Sequence, residues 1–82
     1  MEVIVTPKAL KQYNHLPKTE QTKIKKKLLL LEQSAQEGKK LSGEYTELRS
    51  LRAWPYRIVY FIVNKDRKIY VVTIAHGQGV YK

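Results

Sequence analysis

The run Tyr56 to Asn64, YRIVYFIVN, is apolar at both odd and even positions apart from Arg57 and the closing asparagine. A strand with two apolar faces needs cover on both, so this segment reads as the central strand of a sheet. In a chain of 82 residues only one core of that kind fits, and residues 1–82 are expected to form one domain. Arg57 is the exception inside the strand. A guanidinium cannot shed its charge near neutral pH and is costly to bury unpaired.

The remaining elements follow from local signals. Val3-Ile4-Val5 is a β-branched run stopped by Thr6-Pro7, where Thr6 suits a helix N-cap and Pro7 the first helical position. Ala9, Leu10, Tyr13 and Leu16 then recur at helical spacing until Pro17 ends the helix near Leu16. A second helix is predicted from Lys18 to about Gln36, with Gly38 as its stop. Its apolar stripe is Ile24, Leu28 and Leu31, widened by Leu29, Leu30 and Ala35. Lys18, Lys23, Lys25, Lys26 and Lys27 make the other side basic.

Gly38 to Thr46 reads as a polar loop, followed by strands at about Glu47–Ala53, Tyr56–Asn64 and Lys68–His76. Pro55 separates the first two, and Asn64-Lys65-Asp66-Arg67 is a hairpin turn between the last two. The order β-α-α-β-β-β predicts an α+β fold. A helical hairpin packs on one face of a small, mainly antiparallel sheet, and the other face is left for function.

Composition narrows the function classes. There is no cysteine, hence no disulfide framework and no cysteine-based zinc site, and two isolated histidines give no metal cluster. No metal and no cofactor is expected. The longest apolar run, Ile58 to Val63, and the all-leucine run Leu28 to Leu31 are both far short of a membrane span, and Met1 to Val5 lacks a signal-peptide pattern. A soluble, cytoplasmic protein without a membrane partner is expected. The formal net charge of +9 favours a polyanionic partner, nucleic acid first and an acidic protein second.

Four constellations carry chemistry. Arg49, Arg52 and Arg57 lie on strands in a chain short of acids. Arg49 and Arg52 differ in parity, so without a bulge only one of them shares a face with Arg57. His76 ends the last strand before Gly77-Gln78-Gly79 and is placed either for proton transfer or for a structural hydrogen bond. Tyr81 and Trp54 are each either a cover for the core or a platform for a base. Lys23, Lys26 and Lys27 are either a solvated helix face or a phosphate-tracking surface. Gly-rich phosphate loops, nucleophile elbows and acidic metal clusters are missing from the sequence. Metal-free phosphodiester cleavage fits what remains: it needs a base for the ribose 2′-hydroxyl, cations around the phosphate and an acid for the leaving oxygen.

Leu16-Pro17, the stretch Ile24 to Leu31, Leu51-Arg52, Tyr56-Arg57-Ile58-Val59-Tyr60 and Val80-Tyr81 together resemble the RelE/ParE toxin superfamily of type II toxin–antitoxin modules. The likeness covers nearly the whole chain. It implies a RelE-like fold, a ribosome-dependent mRNA endoribonuclease that inhibits translation, and a cognate antitoxin whose acidic segment wraps the toxin in a hetero-oligomer. Carried over by position, Arg57 resembles the arginine at the scissile phosphate, Tyr81 the stacking tyrosine and Arg52 a neighbouring basic residue. Where RelE has lysines before the Tyr-Arg pair, this chain has Leu48 and Ser50. Glu47-Leu48-Arg49 and His76-Gly77 resemble segments of HigB-like toxins instead, which moves proton transfer to His76. The expected catalytic set is thus Arg57, His76, Arg49 and Tyr81, with Arg52, Lys23, Lys26 and Lys27 binding RNA. ParE-like members share the fold and inhibit DNA gyrase without a nuclease site. The nuclease reading requires His76 and the arginines to meet in one cleft.

Overall fold

In the computed structural model, which describes residues 1–41 and 47–77, the apolar run at Tyr56 is the middle strand of a five-stranded sheet. The elements are β1 (Glu2–Val5), α1 (Pro7–Asn14), α2 (Lys18–Gln33), β2 (Lys39–Lys40), β3 (Arg49–Ala53), β4 (Tyr56–Val63) and β5 (Lys68–His76). A 3₁₀ turn at Asn64–Asp66 joins β4 to β5. The spatial order is β1-β5-β4-β3-β2, with β1 parallel to β5 and the other pairs antiparallel. The α+β architecture and the β-α-α-β-β-β order stand, with one strand added. That strand, β2, lies in the segment expected to be loop. Two lysines give no alternation to read, and it forms by pairing Lys39 with Ser50 and Lys40 with Arg49.

One face of the sheet is closed by the helices. Ile58 and Tyr60 of β4, Ile69, Val71 and Ile74 of β5, and Leu51 and Ala53 of β3 pack against Ala9 of α1 and Ile24 and Leu31 of α2. Burial of each large side chain contributes about 1.5–3 kcal/mol. The narrower stripe leaves out Leu10 and Leu29, both expected in the core and both about half exposed. Ala9, Tyr13 and Leu16 alone complete the apolar face of α1.

Specific hydrogen bonds set the helix ends. Thr6 Oγ1 accepts from the Ala9 amide at 3.5 Å and donates to the Val71 carbonyl at 2.8 Å, so the cap also docks α1 on β5. Gln21 donates to the carbonyls of Tyr13 and Leu16, both at 3.1 Å, and closes the helical hairpin. The second helix ends at Gln33, three residues before the expected Gln36. Past it, the Ala35 carbonyl and the Gly38 amide bond to the buried Tyr60 hydroxyl, and these long-range bonds take the place of a last helical turn.

Parity along the strands decides which side chains reach the open face. Pairing of β3 with β4 runs unbroken from Arg49↔Tyr60 to Ala53↔Tyr56. Between β4 and β5 the register shifts at Val59/Tyr60, so Val71 pairs with Tyr60 and Thr73 with Val59. The extra residue in β5 lets Val71 and Ile74, of opposite parity, both face the helices.

Candidate functional site

The open face, the one away from the helices, carries Ser50 and Arg52 from β3, Arg57 and Val59 from β4, and Thr73 and Ala75 from β5; Arg52 is exposed, whereas Ser50 and Val59 are buried. Arg52 and Arg57 are direct register partners across β3 and β4. Like charges placed opposite one another destabilise a sheet. Among the described residues no carboxylate forms an ion pair with either, the one such pair being Lys23–Glu20 at 3.0 Å. Arg57 is half-buried, and among the described residues its Nη1 donates to the Ser50 hydroxyl, at 3.5 Å. A pair of cations held together without compensation is a ready receptor for a phosphate or carboxylate.

These arginines line a cleft of about 170 Å³ together with Trp54, Tyr56, His76 and Gly77. His76 is the last residue of β5 and pairs in register with Tyr56. Its exposed ring meets the Tyr56 ring edge-on, with centroids 6.0 Å apart and planes at 74°. Backbone parity gives His76 the side of Tyr56, not that of Arg57. At the strand end the ring borders both the small cleft and a larger groove of about 450 Å³ beside α1. The Ile74 amide donates to Gln12 Oε1 at 2.8 Å, which ties α1 to the end of β5 that carries the histidine.

Gly77 is closely packed where it stands. Its amide donates to the Pro55 carbonyl at 3.0 Å, and a Cβ there would lie 3.3 Å from Arg57 Nε. The glycine thus lets the strand end close on the Trp54–Pro55 turn without displacing the guanidinium.

Arg49 is elsewhere. Its parity is that of Leu51 and Ala53, so it faces the helix side, where Nη1 donates to the Gly38 carbonyl at 2.9 Å and Nη2 to Gln36 Oε1 at 2.6 Å. The sheet therefore brings Arg52, Arg57 and His76 together and leaves Arg49 out. Tyr81 lies outside the described residues.

Of the three lysines singled out on α2, Lys23 reaches the edge of the cleft, donating to the Trp54 carbonyl at 3.3 Å. Lys26 is exposed and Lys27 half-buried one turn further along the helix, and neither lines the cleft. Lys39 is an addition that sequence reasoning missed. Paired with Ser50, it has the parity of Arg52 and extends the basic face onto β2. Its one sequence signal was a lysine pair just after Gly38, inside a segment read as loop. Tyr56, read only as a strand residue, is also a wall of the cleft.

The family model described as the ParE toxin of the type II toxin–antitoxin system parDE matches residues 3–81. The chain belongs to this family. Solved structures agree with the fold of a ParE-family toxin. A chain of the Mycobacterium tuberculosis RelBE2 toxin–antitoxin complex superposes with a TM-score of 0.85 at 22% identity, covering 92% of this toxin and 95% of that chain. The isolated Escherichia coli RelE toxin gives 0.78 at 27% identity, over 92% of this toxin and 82% of RelE. The Staphylococcus aureus YoeB dimer gives 0.76 at 21%, over 93% and 95%. No curated protein matches the sequence. The resemblance read from the Leu-Arg and Tyr-Arg motifs is therefore one of family and fold.

Proposed function

We propose that this toxin is an endoribonuclease that cuts messenger RNA on the ribosome, with its cleft at the end of β3, β4 and β5. The observation that carries the reading is the pairing of Arg52 with Arg57, without a partnering carboxylate among the described residues, in a cleft that His76 also lines. In this mechanism the ribose 2′-hydroxyl loses its proton as its oxygen attacks the adjacent phosphorus. Negative charge gathers on the non-bridging phosphate oxygens, where Arg57 and Arg52 stabilise it. The departing 5′-oxygen takes up a proton as its bond to phosphorus breaks. His76 serves one of the two proton transfers.

Arg49 leaves this set for a scaffolding role, because both its bonded nitrogens are engaged on the far face. Tyr81 keeps the stacking role that the resemblance assigns. Lys23 and Lys39 guide the strand by charge, with Lys26 and Lys27 adding to the basic face. A cognate antitoxin fits the net charge of +9 and the RelBE and YoeB–YefM complexes among the structural neighbours. Its acidic segment covers the arginine cleft and turns the enzyme off.

A second reading has an observation of its own: the matching family is described by parDE, and β3 offers Ser50 and the residue before it Leu48, where RelE has lysines. On that reading the toxin inhibits DNA gyrase and performs no chemistry. Induced expression separates the two. The nuclease produces cuts inside translated messages, which drop by about 10²–10³-fold in Arg57→Ala and 10²–10⁴-fold in His76→Ala. Intact messages with a DNA-damage response would overturn the nuclease reading.

A further inference from the structure

Trp54 is 73% exposed, the most exposed large apolar side chain among the described residues, ahead of Leu29 and Leu10. The other two, Leu10 and Leu29, lie on helices and do not line the cleft. An indole left in water forgoes the burial that an aromatic ring usually supplies and leaves its ring available for stacking. The turn that carries it is held from two sides. Lys23 Nζ donates to the Trp54 carbonyl at 3.3 Å, and the Gly77 amide donates to the Pro55 carbonyl at 3.0 Å. The turn is thus held in place with its ring beside two guanidinium groups, and no acid is among the described residues that line the cleft.

We infer that Trp54 is the base platform of this cleft: a base of single-stranded RNA stacks on the indole while Arg52 and Arg57 hold the adjoining phosphate. A flat apolar ring next to paired cations matches the two halves of a nucleotide. Stacking of this kind tolerates any base, because every base offers a π-face. The cleft is small and sits at a strand end, which suits one nucleotide better than a helical peptide segment. The inference takes its substrate class from the nuclease reading and is independent of whether the strand is cut.

The chain has a single tryptophan, so its emission reports on this position alone. Titration of the toxin with a short oligoadenylate is expected to quench the fluorescence, whereas an abasic strand of the same length binds through phosphate without quenching. Trp54→Ala should weaken oligoadenylate binding by roughly five- to 150-fold and leave abasic binding unchanged, with Trp54→Phe retaining most of the affinity. An exposed ring contributes little to folding, so the thermal midpoint of Trp54→Ala is expected to stay at that of the parent. Quenching by oligoadenylate without any cleavage of translated messages would sink the nuclease reading and keep the platform. Cleavage and RNA affinity both unaltered in Trp54→Ala would sink the platform and keep the nuclease. Quenching by an acidic peptide but not by oligoadenylate would make this a protein contact and overturn the inference.

Discussion

The Tyr60 hydroxyl, buried on β4, accepts the Gly38 amide at 2.8 Å and donates to the Ala35 carbonyl at the same distance. One phenol thereby fixes the segment between α2 and β2 and satisfies two backbone groups that lie beyond the helix end. Burial raises the Tyr60 pKa above its ordinary value of 10.0, outweighing the Gly38 N–H and Arg49, which both favour the phenolate. A raised pKa means the folded state favours the protonated phenol. Its contribution is complete below about pH 10 and is lost as pH climbs through the folded-state pKa. Tyr60→Phe should cost about 1–3 kcal/mol in urea melts at neutral pH. It should also lack the part of the alkaline stability loss that the parent shows above about pH 10. Equal alkaline slopes in both proteins would contradict this assignment.

Gly38 has no room for a side chain. A Cβ would stand 2.5 Å from the Tyr60 hydroxyl oxygen and 2.6 Å from Cε1. The phenol is locked by its two bonds, so the backbone must yield instead. Gly38→Ala is expected to cost about 1–3 kcal/mol, the usual range for overpacking. Combined with Tyr60→Phe the cost should fall short of the sum, because the two residues share one contact. Strict additivity in a double-mutant cycle would show that Gly38 acts through something else.

Arg49 and Arg52, three residues apart, should fail in opposite ways. Arg49→Ala removes bonds to the Gly38 carbonyl and Gln36 and is expected to lower the thermal midpoint while sparing RNA affinity in the folded fraction. Arg52→Ala relieves repulsion with Arg57, so stability should hold or rise by about 0.2–1 kcal/mol as RNA affinity falls. Thermal melts paired with RNA titrations check both. A loss of RNA affinity in folded Arg49→Ala would return that residue to the binding site.

That division was half legible in the sequence. Period-two parity showed that Arg49 and Arg52 cannot share a face in an unbroken strand. Which of them joins Arg57 depends on register between strands, and Arg52↔Arg57 pairing is a tertiary fact. Much of the architecture was legible for local reasons: Thr6-Pro7 caps a helix, Pro17 ends it, and Lys68–His76 alternates until the bulge. The end of α2 was not, because the Tyr60 hydroxyl that competes for it lies 25 residues from Ala35. Lys39–Lys40 carried no strand signal, since their pairing is decided by β3.

Salt dependence tests the basic face as a whole. Each cation that neutralises a phosphate releases condensed counterion, so log K against log salt falls with a slope near −0.7 per contact on single-stranded RNA. Arg52, Arg57 and Lys39 share the open face by register, and Lys23 meets it at the Trp54 turn. Arg52→Ala, Arg57→Ala, Lys39→Ala and Lys23→Ala should each flatten the slope by about 0.7. Lys26→Ala and Lys27→Ala, one turn away on α2, should flatten it less for an oligonucleotide that fills only the cleft. Arg49→Ala should leave the slope unchanged, because its guanidinium is bonded on the other face. Filter binding or fluorescence titration of a short strand over a range of salt reads all seven. Equal flattening by Arg49→Ala and Arg52→Ala would mean that RNA senses only net charge and that the open face is no defined site.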